Sequence, residues 1–83
     1  MYELFVLPPA LKDLDRLEAS VFERILKKIR ALSKDARPSG CLKLTRDEGY
    51  RLRVGDYRII YRVDDALKRI FIYRIKPRKD VYS

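Results

Sequence analysis

The chain has 83 residues, of which 47% are hydrophobic, so it has room for one small domain and is too apolar to stay disordered. Twenty lysines and arginines against twelve acids give a net charge of +8, which attracts polyanions such as nucleic acid or an acidic protein. The chain contains no histidine and one cysteine, Cys41, which excludes an imidazole base, a histidine-ligated metal and an internal disulfide. We therefore expect a protein of a reducing compartment that uses no metal and no cofactor.

The sequence also lacks the features of a membrane or secreted protein. Its apolar runs are far shorter than the roughly 20 residues of a membrane span, and no basic-then-apolar leader precedes the first predicted strand. No repeat, low-complexity tract or linker divides it. We expect a cytoplasmic protein without membrane contacts, folded as a single domain over residues 1–83.

The first elements in chain order are a strand and a short helix. The apolar stretch 2–7 is typical of a buried strand, and the prolines that start at Pro8 end it and favour a helix start. Leu11, Leu14 and Leu17 then recur at three-residue spacing, which predicts that they form one face of a short helix.

A second helix has a clearer start signal. Ser20 and Glu23 fit the S-x-x-E capping box, in which the hydroxyl and the carboxylate satisfy backbone groups at the helix start. The apolar stripe that follows predicts an amphipathic helix with basic residues on its solvent face. The members of the stripe are Phe22, Ile25, Leu26, Ile29 and Leu32.

From Cys41 onward the hydrophobic repeat changes to two, the period of a strand. A strand, two helices and then a run of strands predict a two-layer α+β domain. In it, the N-terminal strand and a two-helix hairpin pack on one face of an antiparallel meander sheet. The predicted strands of the meander are 41–45, 50–54, 57–63 and 68–75, with turns at 46–49, 55–56 and 64–67.

Strand alternation places four arginines on one side of this sheet. A two-residue turn that begins with Gly55 pairs Arg53 with Arg58, and puts Arg51 and Arg62 on the same side as both. Directly opposed like charges destabilise a sheet, so the arginine pair indicates a bound anion. The alternative is that these arginines only solubilise an open sheet face.

The last strand and the tail extend this basic side. A turn at 64–67 predicts that Arg69, Phe71 and Tyr73 share the side of the arginines, with Tyr73 opposite Arg58. Guanidinium groups suit phosphate oxygens, and aromatic rings among them can stack on exposed bases. Residues 41–83 hold twelve basic and six acidic side chains, so most of the positive charge lies in this half. This distribution favours RNA binding.

Two motifs carry a resemblance to a known family. The stretch 50–63, YRLRVGDYRIIYRV, and the ending 77–82, PRKDVY, resemble the RelE/ParE toxin superfamily, and the V-Y ending favours its RelE branch. The resemblance covers nearly the whole chain and implies a RelE-like fold. It also implies the toxin of a type II toxin–antitoxin system, a ribosome-dependent endoribonuclease that inhibits translation. Such enzymes cleave mRNA without a metal, by attack of a ribose 2′-hydroxyl that leaves a cyclic phosphate.

The resemblance implies catalytic roles for three sheet arginines. Arg58 matches the arginine that stabilises the scissile phosphate, and Arg51 and Arg53 match sheet positions that are often lysines. Arginine can stabilise a phosphorane but cannot readily act as a base, because its pKa exceeds about 12. We therefore assign Arg53 and Arg58 to charge stabilisation and Arg51 to the neighbouring backbone.

The tail supplies the remaining catalytic groups that the resemblance implies. Tyr82 matches the catalytic tyrosine, which would take the 2′-proton, and Arg78, or alternatively Lys76, matches a further catalytic cation. Pro77 stands where many relatives carry a histidine. Outside the catalytic set, the predicted RNA-binding residues are Arg62, Tyr73, Lys76 and Lys79.

The resemblance further implies two partners: an acidic cognate antitoxin, and the ribosome with mRNA in its decoding site. Two alternatives stay open. The chain could be a ParE-like inhibitor of DNA gyrase without nuclease activity. It could also be a catalytically weak module that binds RNA or its antitoxin, since it lacks the histidine and the lysines of other members.

Overall fold

Two helices and five strands lie within residues 1–45 and 49–78, the parts of the chain that the computed structural model describes. Their order confirms the α+β prediction: one strand, two helices, then four strands. The predicted turn 46–49 lies mostly outside the described residues. The elements are β1 (Glu3–Val6), α1 (Pro8–Asp15), α2 (Ala19–Leu32), β2 (Cys41–Lys43), β3 (Tyr50–Val54), β4 (Tyr57–Asp64) and β5 (Arg69–Pro77).

The strands form one mixed sheet in the order β1-β5-β4-β3-β2. Strands β2 to β5 are the predicted antiparallel meander. Strand β1 joins the meander at the β5 edge and runs parallel to it, with Phe5 opposite Phe71. The first and last strands are therefore neighbours. None of the described helices is long and apolar enough to cross a membrane.

Both helices pack on one face of the sheet. Alternate residues of the central strands, among them Leu52, Ile59 and Tyr61, are buried in the same cluster as Ile25 and Ile29 of α2. The facing residues of β3 and β4 have the opposite parity, so the predicted arginine side is the side that the helices leave uncovered. Apolar burial between the two layers stabilises the domain.

The predictions for the two helices need one correction each, the buried face of α1 and the start of α2. In α1 the buried residues are Ala10 and Leu14, whereas Leu11 is 49% exposed. A spacing of four keeps residues on one face of a 3.6-residue helix better than the predicted run of threes. Helix α2 begins at Ala19 with Glu18 as its N-cap, and no side chain caps it. The Ser20 capping box was therefore wrong.

The β3–β4 hairpin follows the predicted register. Arg53 lies opposite Arg58, and Val54 lies opposite Tyr57. Gly55 takes a φ of +58°, which a glycine-first turn requires, while Asp56 stays out of the left-handed region. The two-residue turn thus fixes which arginines meet across the strands.

The β4–β5 register differs from the prediction. The turn lies one residue later than predicted, over 65–68, so Asp64 faces Arg69 and the partner of each β4 residue shifts by two. In addition, β5 contains a bulge opposite Ile60 and Tyr61, with Tyr73 as the extra residue. As a result Lys76, not Tyr73, lies opposite Arg58. The later turn moves the partner of Arg58 by two residues and the bulge moves it by one more, which together explain why the sequence misplaced Tyr73.

Candidate functional site

A row of three cations crosses the middle of the uncovered sheet face. Arg53 of β3, Arg58 of β4 and Lys76 of β5 are direct neighbours in the strand register. Adjacent strands are about 4.8 Å apart, so the backbones that carry this row span only about 10 Å. Such a row is a concentrated positive charge fixed by backbone pairing.

Four arginines line one depression of about 200 Å³ beside this row. Three of them were predicted from strand alternation and the fourth from the tail. Among the described residues the lining includes no Asp or Glu. The lining residues are Gly40, Leu42, Arg51, Arg53, Arg58 and Arg78. The structure therefore brings together four of the five residues to which the sequence gave catalytic roles.

Arg58 occupies the most sheltered position in the depression. It is only 4% exposed, and it lies on β4, the middle strand of the sheet. Its Nη1 donates to the Tyr57 carbonyl at 3.5 Å. Arg53 is exposed on the hairpin and donates from Nε to the Gly55 carbonyl at 3.3 Å. The Arg58 guanidinium is thus buried within the sheet, whereas the Arg53 guanidinium is exposed at the hairpin.

Arg78 reaches the depression because β5 continues along the hairpin turn. Its backbone N–H donates to the Asp56 carbonyl at 2.7 Å, one step beyond the pair Tyr57 and Pro77. Lys76 faces the same side of the sheet but does not line the depression with Arg58. Of the two candidate cations that the sequence left open, Arg78 is the one at the depression.

An aspartate on α1 holds the end of β5 in place. Strand β1 and the residue that follows it pair with β5 as far as Ile72. Beyond this point the Asp13 carboxylate accepts hydrogen bonds from the Ile75 N–H and from the Arg74 Nε, both at 2.8 Å. Burial tends to raise the pKa of Asp13, but hydrogen bonds from Arg74 and Ile75 outweigh it and hold the pKa below its ordinary value. The sequence gave no signal for this contact, which positions the strand that carries Lys76 and leads to Arg78.

The remaining predicted residues lie elsewhere. Arg62 and Tyr73 contact each other, with the Arg62 guanidinium carbon 5.2 Å from the ring centroid. Arg62 is four residues from Arg58 on β4, a distance of about 13 Å along the strand. Lys79 and Tyr82 fall outside the described residues.

Sequence reasoning missed two residues of the lining, Gly40 and Leu42. The signal for Leu42 was present: β2 pairs with β3 and sets Leu42 opposite Arg51, which gives both side chains the same face. Gly40 has a φ of +91° and turns the chain into β2. Together they form the rim of the depression on the β2 side.

A second polar cluster lies at the other end of the sheet. We call Asp65, Arg37, Tyr50 and Tyr2 the Asp65 network. Arg37 donates from Nη2 to Asp65 at 2.8 Å and from Nε to the Tyr50 hydroxyl at 2.9 Å, and Tyr2 donates its hydroxyl to Asp65. Hydrogen bonds from Arg37, and then from Tyr2, lower the pKa of Asp65 to about 2. The network joins the loop after α2 to the β4–β5 turn.

Solved structures with the same architecture are toxins or their complexes. The RelE–RelB complex of Pyrococcus horikoshii contains a chain 32% identical to this one, with a TM-score of 0.80, 93% of this chain covered and 94% of that one. The RelBE2 toxin–antitoxin complex of Mycobacterium tuberculosis matches at 25% identity and a TM-score of 0.83, with 93% and 98% covered. The isolated RelE toxin of E. coli matches at 26% identity and 0.80, with 99% and 92% covered.

Comparison of the sequence alone gives the family. No curated protein sequence matches the chain. The family model described as the ParE toxin of the type II toxin–antitoxin system parDE matches residues 4–82. The chain therefore belongs to the ParE toxin family of type II toxin–antitoxin systems, within the RelE/ParE superfamily.

Proposed function

We propose that this toxin is a ribosome-dependent mRNA endoribonuclease that needs no metal ion. The observation that carries the proposal is the convergence of Arg51, Arg53, Arg58 and Arg78 on one depression. Planar guanidinium groups form paired hydrogen bonds to phosphate oxygens, and four of them around a small space match one phosphodiester. Similarity to the RelE toxins of E. coli and P. horikoshii supports this reading.

The proposed reaction is an internal transesterification. The ribose 2′-oxygen attacks the adjacent phosphorus while the bond from phosphorus to the 5′-oxygen breaks. The products are a 2′,3′-cyclic phosphate and a 5′-hydroxyl end. The proton of the 2′-hydroxyl passes to a base, and the departing 5′-oxygen takes up a proton. No oxidant, reductant or cofactor enters this balance.

The arginines stabilise the charge that develops on the phosphorane. Arg58 is fixed in the sheet and acts as a preorganised donor, the arrangement that gives the largest electrostatic effects in enzymes. Arg53 adds a second donor from the hairpin, and Arg51 holds the neighbouring backbone phosphate. Arg78 balances the charge on the leaving 5′-oxygen. The base in this proposal is the phenol of Tyr82.

The composition explains why the reaction would need the ribosome. The chain has no histidine, and arginine stays protonated near neutral pH, so proton transfer on free RNA would be slow. A ribosome that holds the message bent for attack would supply the missing rate through orientation. The depression then has to stabilise charge more than it has to move protons.

A toxin of this kind needs a neutralising partner, and we propose an antitoxin with an acidic, amphipathic segment. RelE chains of similar structure were solved in complex with RelB. The net charge of +8 favours an acidic partner, whose binding would weaken as salt is added. Titration of the purified toxin with the product of a neighbouring gene, at two salt concentrations, tests this.

Toeprinting of a translating ribosome tests the nuclease proposal directly. Wild-type protein should cut mRNA in the decoding site, and Arg58→Ala should not. Arg30→Ala is the matched control, because it removes an exposed arginine from α2 without touching the depression. Intact message with the wild-type protein at saturating concentration would reject the proposal.

Inhibition of DNA gyrase is the second candidate, because the family model that matches the chain is named for ParE. A gyrase inhibitor acts by binding, and its induction should cause DNA breaks and a damage response while translation continues. DNA breaks from an Arg58→Ala variant with unchanged toxicity would favour this candidate over the nuclease.

A further inference from the structure

Aromatic rings cross the uncovered sheet face next to the arginine depression. Phe5 of β1 and Phe71 of β5 are paired in the register, with ring centroids 5.4 Å apart and ring planes 21° from parallel. Ile70 and Ile72 flank Phe71 on β5 and are fully buried under the helices, so the Phe71 ring points to the opposite side of the sheet. The ring of Phe5, its partner in the register, points to the same side as Phe71. Both phenylalanines are half-buried, which leaves part of each ring open to a ligand.

Arginines lie over rings at both ends of this row. The guanidinium carbon of Arg69 is 5.6 Å from the centroid of Phe5. At the other end Arg62, which pairs with Phe71 across the strands, lies 5.2 Å from the centroid of Tyr73. Cation and ring thus alternate across three strands, a pattern common in sites for single-stranded nucleic acid.

The bulge in β5 adds Tyr73 to the row. Tyr73 is the extra residue of the bulge, and the guanidinium of Arg62 lies over its ring. Phe71, Tyr73 and Arg62 line an open depression of about 360 Å³ together with Asp64 and Asp65. The two carboxylates at its rim would repel a phosphate, so this depression suits a base better than a backbone group.

We propose that Phe5, Phe71 and Tyr73 form a stacking platform for the bases of single-stranded RNA that extends from the cleaved phosphate. The inference rests on the proposed nuclease function and adds to it a binding site for nucleotides beyond the cleaved phosphate. The platform begins about 13 Å from Arg58, the distance along β4 to Arg62. Arg62 and Arg69 hold the backbone while the rings take the bases.

Single-stranded RNA fits this face better than a peptide does. Aromatic rings with arginines beside them can provide stacking and phosphate contacts to single-stranded RNA, and every base has a face that can stack. The platform also continues from the arginine depression on the same face of the same sheet. An acidic peptide would use the arginines but gain little from the rings, and it is an outcome of the test.

Binding of uncleavable oligonucleotides of two lengths tests the platform. We would measure fluorescence anisotropy with 2′-fluoro RNA of three and of nine nucleotides, at low salt, on the full-length toxin. Wild-type protein should bind the longer RNA about tenfold more tightly, the size of one base–aromatic stack. Phe71→Leu should lose this gain and keep the affinity for the short RNA. A long RNA with abasic positions outside its centre should behave like the short one.

Phe22→Leu is the matched control, because Phe22 is a half-buried phenylalanine on the helix side of the core. It should keep the length dependence. Phe5→Leu, measured beside Phe71→Leu and checked by circular dichroism, separates lost stacking from lost folding. Unchanged long-RNA affinity in both folded variants would overturn the platform, as would wild-type protein without any length dependence.

The outcomes also separate this inference from the proposed function. Ribosomal cleavage with unchanged RNA binding in Phe71→Leu would reject only the platform. Length-dependent binding without cleavage on the ribosome would reject only the nuclease. Should Phe71→Leu weaken binding to the antitoxin and leave RNA affinity unchanged, the face belongs to the protein partner and the inference fails.

Discussion

The two ends of the sheet use arginine in different ways. In the Asp65 network, both terminal nitrogens of Arg37 donate hydrogen bonds to the Asp65 carboxylate, at 2.8 and 3.3 Å, and its Nε donates to the Tyr50 hydroxyl. Hydrogen bonds to Asp65, and then to Tyr50, raise the pKa of Arg37 above its already high value. At the depression, four guanidinium groups share one lining that includes no described carboxylate.

Under the proposed function, Arg37 helps to hold the fold and the four arginines of the depression serve a ligand. An arginine that is satisfied within the protein joins two segments and adds little to the field outside. Like charges gathered on opposed strands cost stability, and a bound anion offsets that cost. The comparison therefore predicts that changes at the depression alter activity, whereas changes at the network alter stability.

The largest expected effect is at Arg58. Arg58→Lys keeps a positive charge but loses the paired donors, and we expect mRNA cleavage to fall by about 100-fold or more, as for loss of one preorganised donor. The measurement is single-turnover cleavage on programmed ribosomes. Arg37→Lys is the control at the other end and should cleave at a rate close to that of the wild type. Equal losses in the two variants would remove the distinction between the ends.

The next effect is at Tyr61, in the core beside the network. Its hydroxyl donates to the Ala36 carbonyl at 2.8 Å, its ring stacks on Tyr50, and burial followed by the contact with Cys41 raises the pKa of its phenol. Tyr61→Phe leaves a buried carbonyl without its donor, so the free energy of unfolding should fall by about 1–3 kcal/mol. Urea unfolding measures this, with Tyr73→Phe on the other face as the control. A larger loss in the control would contradict the assignment.

A smaller effect concerns pH and the anchor of β5. The pKa of Asp13 is lowered in the folded state, so the Asp13 contact stabilises the fold above the unfolded pKa of about 3.9 and loses this as pH falls through the folded value. Asp13→Asn should unfold more easily at pH 6 but differ less from the wild type at pH 2. Thermal melts from pH 2 to 6 check this; parallel curves for the two proteins would show that the contact does not depend on the charge.

The smallest effect is at Asp65. The ion pair between Arg37 and Asp65 is largely exposed, with side-chain exposures of 41% and 55%, and solvent screens such pairs. Asp65→Asn should lower the melting temperature only slightly, and the difference should shrink in high salt. Cleavage should stay unchanged. A loss of cleavage in this variant, with the fold intact, would mean that the network contributes to the site.

Short-range patterns in the sequence were enough to predict the strand and helix order and the β3–β4 hairpin. A two-residue turn that begins with Gly55 leaves little freedom in the register, and so the opposition of Arg53 and Arg58 followed from the sequence. The apolar stripe of α2 likewise identified Ile25, Ile29 and Leu32, which are buried.

What the sequence could not predict depends on contacts between distant segments. The pairing of Arg58 with Lys76 depends on the position of the β4–β5 turn and on the bulge, and the bulge breaks the period of two between the buried residues Ile72 and Ile75. No sequence pattern singled out Asp13, yet it accepts a hydrogen bond from the backbone of β5 more than 60 positions away. Local periodicity gives no signal for the Asp13 contact. The catalytic roles of the arginines and of Tyr82 stay predictions.

The parallel pairing of β1 with β5 has a consequence for how the toxin is made. Protein synthesis runs from the N terminus, so β1 emerges long before its partner strand, with which Glu3 and Arg69 form the first pair. Pairing over such a separation delays completion of the sheet until β5 has emerged. Arg78 emerges later still, beyond the end of β5. A nascent chain therefore lacks both the complete five-stranded sheet and the fourth arginine of the depression until β5 and Arg78 have emerged.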